Sequence, residues 1–267
     1  MDLLSVIVPT YNQSKYLPIS LDSIWFQDRP GIEIIVVNDG STDSTRDVLD
    51  TYVKAVASER VSYAWNYNEK TDVVKRLEHL RYPPQGRKLR IIQHPENKGL
   101  GAALNTGFRA ATGSYCTFIA SDDMLLPSAI GEMAHVLDQE QADFVYADMH
   151  IVDDDGRILR RFSLPDYTFE NAFCQWYLCG VCKLYKRELH DRVGYYDEQI
   201  KPQDHDMFLR FAMNGAKFVH IPKVLANVRI HDGDREVANH SPANWNRLYN
   251  ESATLVKKAR QWSKFRG

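Results

Sequence analysis

Residues 3–12 read Leu3-Leu4-Ser5-Val6-Ile7-Val8-Pro9-Thr10-Tyr11-Asn12, an almost unbroken apolar run that stops at a proline followed by polar and aromatic side chains. A strand with one wet face alternates in polarity, whereas a run of this kind suits a strand covered on both faces of a parallel sheet. The pattern repeats at residues 32–37 (IEIIVV) and ends at Asn38-Asp39-Gly40-Ser41-Thr42-Asp43. Residues 89–93, 115–120 and 144–147 supply three further strands. Between them lie an amphipathic stretch at 14–26, a helix opening on the capping-type Ser44-Thr45-Arg46-Asp47, and a helix at 99–111. Strand–helix alternation of this kind is α/β, with a mostly parallel, doubly wound sheet. Ligands of such sheets bind beyond the carboxyl ends of the strands, where strand order reverses. Thr10-Tyr11-Asn12, Asp39 and Asp122 are expected to converge there.

Beyond residue 148 the alternation weakens. Asp153-Asp154-Asp155-Gly156 reads as a hairpin turn, 203–214 as a helix, 225–230 as a strand and 244–262 as a terminal helix. About 45 residues separate Asp43 from the third strand, too many for an ordinary loop. Within them, 63–68 is aromatic-rich and 72–80 looks helical; the stretch reads as a surface excursion, with a lid or docking element as the alternative.

With 44% hydrophobic and 25% charged residues the chain has an ordinary globular composition, and its net charge of −2 excludes a nucleic-acid partner held by overall charge. No run approaches the ~20 apolar residues that span a bilayer, and the N-terminus has no secretory pattern. Four cysteines are too few for a disulfide scaffold. A cytoplasmic location is expected. Lys257, Lys258, Arg260, Lys264 and Arg266 fit either a solvated helix or one lying peripherally at the inner face of a membrane.

Five segments carry a resemblance: Ser5–Asn12, Asn38–Asp43, Glu96-Asn97-Lys98-Gly99 with Asn105-Thr106-Gly107, Ser121-Asp122-Asp123 with Pro127, and Gln203-Asp204-His205-Asp206. In this order they resemble the motifs of the family 2 inverting glycosyltransferases, over roughly residues 3–232. The resemblance implies the GT-A fold, with helices on both sheet faces and a smaller acceptor-side subregion. It assigns 1–240 to the transferase domain (1–123 nucleotide-sugar-binding, 124–240 acceptor-side, 52–88 an insertion) and 241–267 to a C-terminal helical extension.

The same resemblance implies hexosyl or N-acetylhexosaminyl transfer from a nucleotide-sugar donor to a glycan or lipid-linked glycan, as in polysaccharide biosynthesis. UDP-sugars come first among donors because they prevail in the family. Asp39 would accept from the base, an ionised carboxylate being an acceptor only; a turn or capping aspartate is the alternative. Pro9, Thr10, Tyr11 and Ser121 would line the nucleotide site. Lys98 would meet base or phosphate, or else begin a helix. Asp122 would hold Mn²⁺ or Mg²⁺, hard cations that favour carboxylate oxygen and bridge diphosphates. Ala120 stands where the family has its first metal-motif aspartate, so one carboxylate is expected to bear that work. His231 would lie near the metal. Asp204 would be the general base, with a helix-terminal aspartate as the alternative, a part that suits Asp206 better. Asp123, Gly180, Trp176 and Gln203 would face sugar or acceptor. A catalytically inactive glycosyltransferase-like binding protein is the rival. Cys179-Gly180-Val181-Cys182-Lys183 echoes thioredoxin-like redox sites but sits late in the chain among aromatics, away from the strand-to-helix position such a site needs.

Overall fold

A computed structural model of the chain describes residues 3–84, 86–175, 177, 179–231 and 242–265. Among these, nine strands form one sheet in the order β5-β2-β1-β6-β10-β8-β11-β7, with β9 on β8. The strands are β1 (Leu4–Thr10), β2 (Ile32–Asn38), β5 (Arg87–Gln93), β6 (Tyr115–Phe118), β7 (Met124–Leu125), β8 (Phe144–Val152), β9 (Ile158–Phe162), β10 (Lys183–Lys186) and β11 (Phe218–Arg229). β5, β2, β1 and β6 run parallel, and β11 is parallel to β8. β10 runs antiparallel between β6 and β8. β7 and β9 are likewise antiparallel to their neighbours β11 and β8, so six of the nine strands share one direction, the mostly parallel sheet the sequence predicts.

Every residue of β1 and of β2 is buried, which is why neither strand alternates. Helices flank the sheet: α1 (Leu17–Trp25), α2 (Thr45–Ser58), α3 (Leu100–Ala110), α4 (Ala129–Asp138), α5 (Glu188–Val193), α6 (Gln203–Met213) and α7 (Pro242–Lys264). α3 packs on β1 and β2, and α4 on β8, β10 and β11. The chain runs from β1 outward through β2 to β5, then returns to β6 on the other side of β1. The switch in strand order thus falls between β1 and β6, placing the ends of β1, β2 and β6 side by side.

One local reading is overturned. Residues 72–80 look helical in sequence, yet Val73–Leu80 is strand β4, paired antiparallel with β3 (Arg60–Asn68) as a separate two-stranded hairpin. The branched Val73 and Val74 and partners along Tyr63, Trp65 and Tyr67 favour a pleated ribbon over a helix. The expected strand 144–147 is the start of the longer β8, and 225–230 overlaps the end of the longer β11, which stops at Arg229. The expected helix at 244–262 is α7, and Asp153–Gly156 does make the β8–β9 turn.

Candidate active site

The first wall of the site is two turns sewn together. The Asn12 side-chain carbonyl accepts from the backbone N–H of Thr42 at 2.8 Å, and Asn12 N–H donates to Ser41 Oγ at 3.0 Å. Asn12 holds a positive φ of 52°, a conformation asparagine tolerates. Asn38 caps its own turn, its Oδ1 accepting from Ser41 N–H at 3.1 Å. Asp39 is 3% exposed. Its carboxylate accepts from the backbone N–H groups of Lys98 and Gly99 at 3.0 and 2.8 Å and meets His94 Nδ1 at 2.6 Å. Three of about four lone-pair sites are thereby used. The negative charge also sits at the N-terminus of α3, where the helix dipole favours it. Gly40 is required here: with φ +67°, a Cβ would lie 2.3 Å from the carbonyl carbon of Glu96. Thr10 Oγ1 and Gln13 Oε1 are buried without a hydrogen-bond partner among the described residues. Buried polar atoms are rarely left so, and these two border the same edge.

The second wall is a chain of acids and one histidine. Asp122 follows β6, and its Oδ2 accepts from Gln13 Nε2 at 2.8 Å and meets His231 Nε2 at 2.9 Å. The other ring nitrogen of His231 meets Asp154 Oδ1 at 2.7 Å. The Tyr16 hydroxyl donates to that same oxygen at 2.6 Å, and this bond, followed by His231, holds the Asp154 carboxyl below the usual range. Arg229 closes the cluster by donating to the carbonyls of Asp153 and Asp154 at 2.6 and 2.8 Å. Asp123 faces inward, accepting from Arg229 N–H at 2.9 Å. Burial, and then the Asp122 charge, push its carboxyl up to about 7.

The donor set suits a hard or borderline divalent cation. Two ligands at ~2.1 Å and a right angle lie ~3.0 Å apart, close to the 2.9 Å between Asp122 Oδ2 and His231 Nε2. Asp154 supplies the carboxylate that ligating histidines ordinarily carry on their second nitrogen. Among the described residues no three His, Cys, Asp or Glu side chains converge on one point.

The third wall presents Asp204 at the start of α6. Its Oδ2 lies 3.5 Å from Nζ of Lys183, whose side chain is fully buried while that of Asp204 remains 30% exposed. The ammonium also stands over the Phe118 ring at 3.7 Å and donates to the Val181 carbonyl at 3.2 Å. Desolvation, then the Asp204 charge, push the buried Tyr196 hydroxyl far up in pKa. Gln203 lies against Gly101 in α3, where an added Cβ would come 2.5 Å from Gln203 Nε2. Asp206, as expected, serves the helix: it takes Arg210 at 2.8 Å one turn on.

The sequence model described as glycosyl transferase family 2 matches residues 5–194, well over half of the chain. The chain belongs to glycosyl transferase family 2. It is 27% identical over 242 residues to an uncharacterized glycosyltransferase of Rickettsia typhi, covering 86% of this chain and 64% of that protein. It is also 27% identical to the glycosyltransferase GlyG of Streptococcus pneumoniae, covering 82% and 68%. Against the first three relatives it spans 64%, 36% and 52% of their length. Among solved structures it resembles Staphylococcus aureus TarS 1-349 in complex with UDP-GlcNAc, with a TM-score of 0.69, 22% identity, and 96% and 66% of the two chains covered. The mannosyltransferase PcManGT of Pyrobaculum calidifontis, in complex with GDP-Man and Mn²⁺, gives 0.62, 21%, 97% and 64%. These likenesses establish the GT-A fold.

Of the residues the family resemblance singles out, Asp122, Asp123 and His231 meet in one cluster with the Ser121 backbone beside them. Thr10 and Asp39 meet along the neighbouring strand ends, Thr10 O accepting from Asp39 N–H at 2.9 Å. Pro9 is buried inside β1, opposite Val37. Tyr11 and Lys98 have exposed side chains, and Lys98 reaches the cluster through its backbone N–H to Asp39. Trp176 lies outside the described residues. Gly180 has a plain packing reason: at φ +67° its Cβ would strike Leu164 at 2.5 Å. All four cysteines are free and buried, and burial pushes the Cys179 and Cys182 thiols up, Cys182 to about 12. That is the reverse of a reactive thiol. Sequence reasoning did not single out Lys183, Asp154, Gln13 and Arg229, which the structure packs against the candidate residues. Lys183 had a signal, a lysine inside a segment otherwise built to be buried.

Proposed function

We propose that the chain is an inverting, metal-assisted glycosyltransferase that moves a sugar from a nucleoside-diphosphate donor, UDP first, to a hydroxyl of a glycan or lipid-linked glycan. The observation that carries the reading is one sheet edge holding a polar corner (Thr10, Asp39), a paired carboxylate–imidazole (Asp122, His231) and a partly exposed carboxylate backed by a buried ammonium (Asp204, Lys183). The complexes of TarS with UDP-GlcNAc and of PcManGT with GDP-Man support a nucleotide-sugar at this edge.

Asp122 and His231 would hold Mn²⁺ or Mg²⁺, and the mixed oxygen–nitrogen pair favours Mn²⁺. The bound ion would supply charge to offset the departing diphosphate. Asp39 keeps one acceptor site for an imide N–H of the base while its other bonds fix the Lys98-Gly99 turn. Pro9, Tyr11 and Ser121 complete the nucleotide corner. Asp204 takes the proton of the acceptor hydroxyl as that oxygen bonds to the anomeric carbon; the bond to diphosphate breaks on the opposite face, inverting configuration. Lys183 supplies countercharge beneath the base, and Gln203, seated on Gly101, sets the height of the α6 start. Asp123 braces the cluster through Arg229. We keep 1–240 as the transferase unit, with α7 as its extension. No helix of the described residues is long and apolar enough to cross a membrane. A protein that merely binds glycans or nucleotides gives no reason for a buried lysine under Asp204. A thermal-shift panel of UDP, dTDP and GDP with Mn²⁺ tests the reading: a rise in melting temperature with at least one is expected, and a flat response to all three sinks it.

A further inference from the structure

Asp204 opens onto a cleft of about 430 Å³ whose far side is the terminal helix. That volume lies in the ~300–1,000 Å³ range of small-molecule sites. Its walls are mainly apolar: Leu100 from α3, Tyr177, and Trp245 and Leu248 from α7. Leu100 and Trp245 remain 55% and 49% exposed. Large apolar side chains gathered on one exposed concavity beside a reactive carboxylate mark a surface built to be covered. Trp245, Leu248 and Ser252 follow the i, i+3, i+7 spacing of one helical face, so α7 presents them together to the cleft.

The helix is fixed in that place. Glu251 accepts from the backbone N–H of Lys201 at 2.7 Å and from Arg247 at 2.7 Å, while Arg247 also donates to the Gln199 carbonyl. Further along, Arg260 donates to the Cys174 carbonyl at 2.6 Å and the Trp262 ring lies tilted against Phe169, with centroids 4.6 Å apart. α7 thereby grips the 199–202 turn that delivers Asp204.

We infer that this cleft is the subsite for the acceptor's terminal sugar, a neutral pyranose whose C–H face lies on Trp245 with Leu248 and Leu100 around it. The inference rests on the glycosyltransfer reading and deepens it. A ring seated on Trp245 turns one hydroxyl toward Asp204, and the negative face of the indole attracts the polarised C–H groups of the sugar. Lys201 at the rim is the only cation the cleft offers to solvent among the described residues, so a neutral ring fits better than a polyanionic one.

The test uses the full chain with UDP and Mn²⁺, titrated with p-nitrophenyl β-glucoside, β-galactoside and β-N-acetylglucosaminide and followed by saturation-transfer NMR. At least one glycoside is expected to contact wild type, to bind about tenfold more weakly in Trp245→Ala and to recover in Trp245→Phe, with UDP affinity within about twofold throughout. Leu100→Ala probes the same cleft from α3 and is expected to weaken the same glycoside, so a poorly folded α7 variant leaves the question answerable. Contact unchanged in Trp245→Ala and Leu100→Ala overturns the inference, as does a wild type that binds UDP but no glycoside. Loss of UDP binding in wild type instead overturns the underlying transferase reading.

Discussion

Replacing Lys183 with methionine removes a buried charge while keeping nearly the same shape, and the consequences divide cleanly between rate and stability. At 3.5 Å and an effective dielectric of about 20, the attraction between Lys183 and Asp204 is about 5 kcal/mol gross. Asp204 is 30% exposed, so water recovers much of this, and a net loss of about 1–3 kcal/mol is expected. Spent on the base, that is a fall in kcat of roughly 10–100-fold for Lys183→Met. Asp204→Asn should abolish transfer and also leave the ammonium uncompensated. A cost of about 1–2 kcal/mol corresponds to a melting temperature roughly 2–8 °C lower. In the double variant Lys183→Met/Asp204→Asn the charge is gone, so the melting temperature should return toward wild type while activity stays lost. The assay is nucleoside-diphosphate release under saturating donor, paired with calorimetry on all four proteins. A Lys183→Met enzyme with more than half of wild-type kcat, or an Asp204→Asn protein as stable as wild type, would show that the lysine is packing and nothing more.

Asp154→Asn should leave the fold intact but weaken Mn²⁺ binding about 10–100-fold, read by electron paramagnetic resonance of free Mn²⁺; unchanged affinity would remove Asp154 from the account. Asp123, pushed up to about 7 by burial and the Asp122 charge, should lose its proton when a dication binds beside it. Calorimetry in buffers of differing ionisation heat should find close to one proton released near pH 6, less above pH 8, and a smaller release in Asp123→Asn. The same raised value adds stability to the ion-free protein that is full below the unfolded carboxyl range and lost as pH rises through about 7. Glu33 is buried, which raises its pKa, but the Ser5 hydroxyl and the N–H groups of Thr112 and Gly113 outweigh this and hold it low. Glu33→Gln should cost about 1–3 kcal/mol, a drop of roughly 2–10 °C. Because the folded value is depressed, that stability is present above the ordinary carboxyl range, and the gap to wild type should close in acid; a gap constant down to strongly acidic pH would contradict it.

The legible parts of this protein are those where one strand or one turn carries its own reason. β1 and β2 announce themselves because strands buried on both faces are almost unbroken apolar runs, and Asn38–Asp43 because a polar Gly-Ser-Thr turn ends the second of them. The hairpin β3–β4 is hard to read because residues 72–80 carry charges at helix-like intervals, and a two-stranded ribbon exposes most of its side chains. Asp39, Asp122 and Asp204 each stand out in the sequence at the end of a strand or the start of a helix, as candidates taken one at a time. Their couplings do not. Asp154 looks like any turn aspartate until β8 and β11 bring it against His231, 77 positions away. Lys183 gains meaning only when β10, placed antiparallel beside β6, carries it beneath the first turn of α6. The part of Asp39 in fixing α3 is likewise a matter of register across the sheet, which no local pattern encodes.

The central claim is transfer from a nucleoside-diphosphate donor with Asp204 as base. Incubating the protein with UDP-glucose, UDP-N-acetylglucosamine, UDP-galactose and GDP-mannose, with Mn²⁺ and then with chelator, and counting released nucleoside diphosphate tests it most directly. Release from at least one donor that stops with chelator and falls at least ~100-fold in Asp204→Asn is the predicted result. Equal release by wild type and Asp204→Asn, or none from any donor, would contradict it.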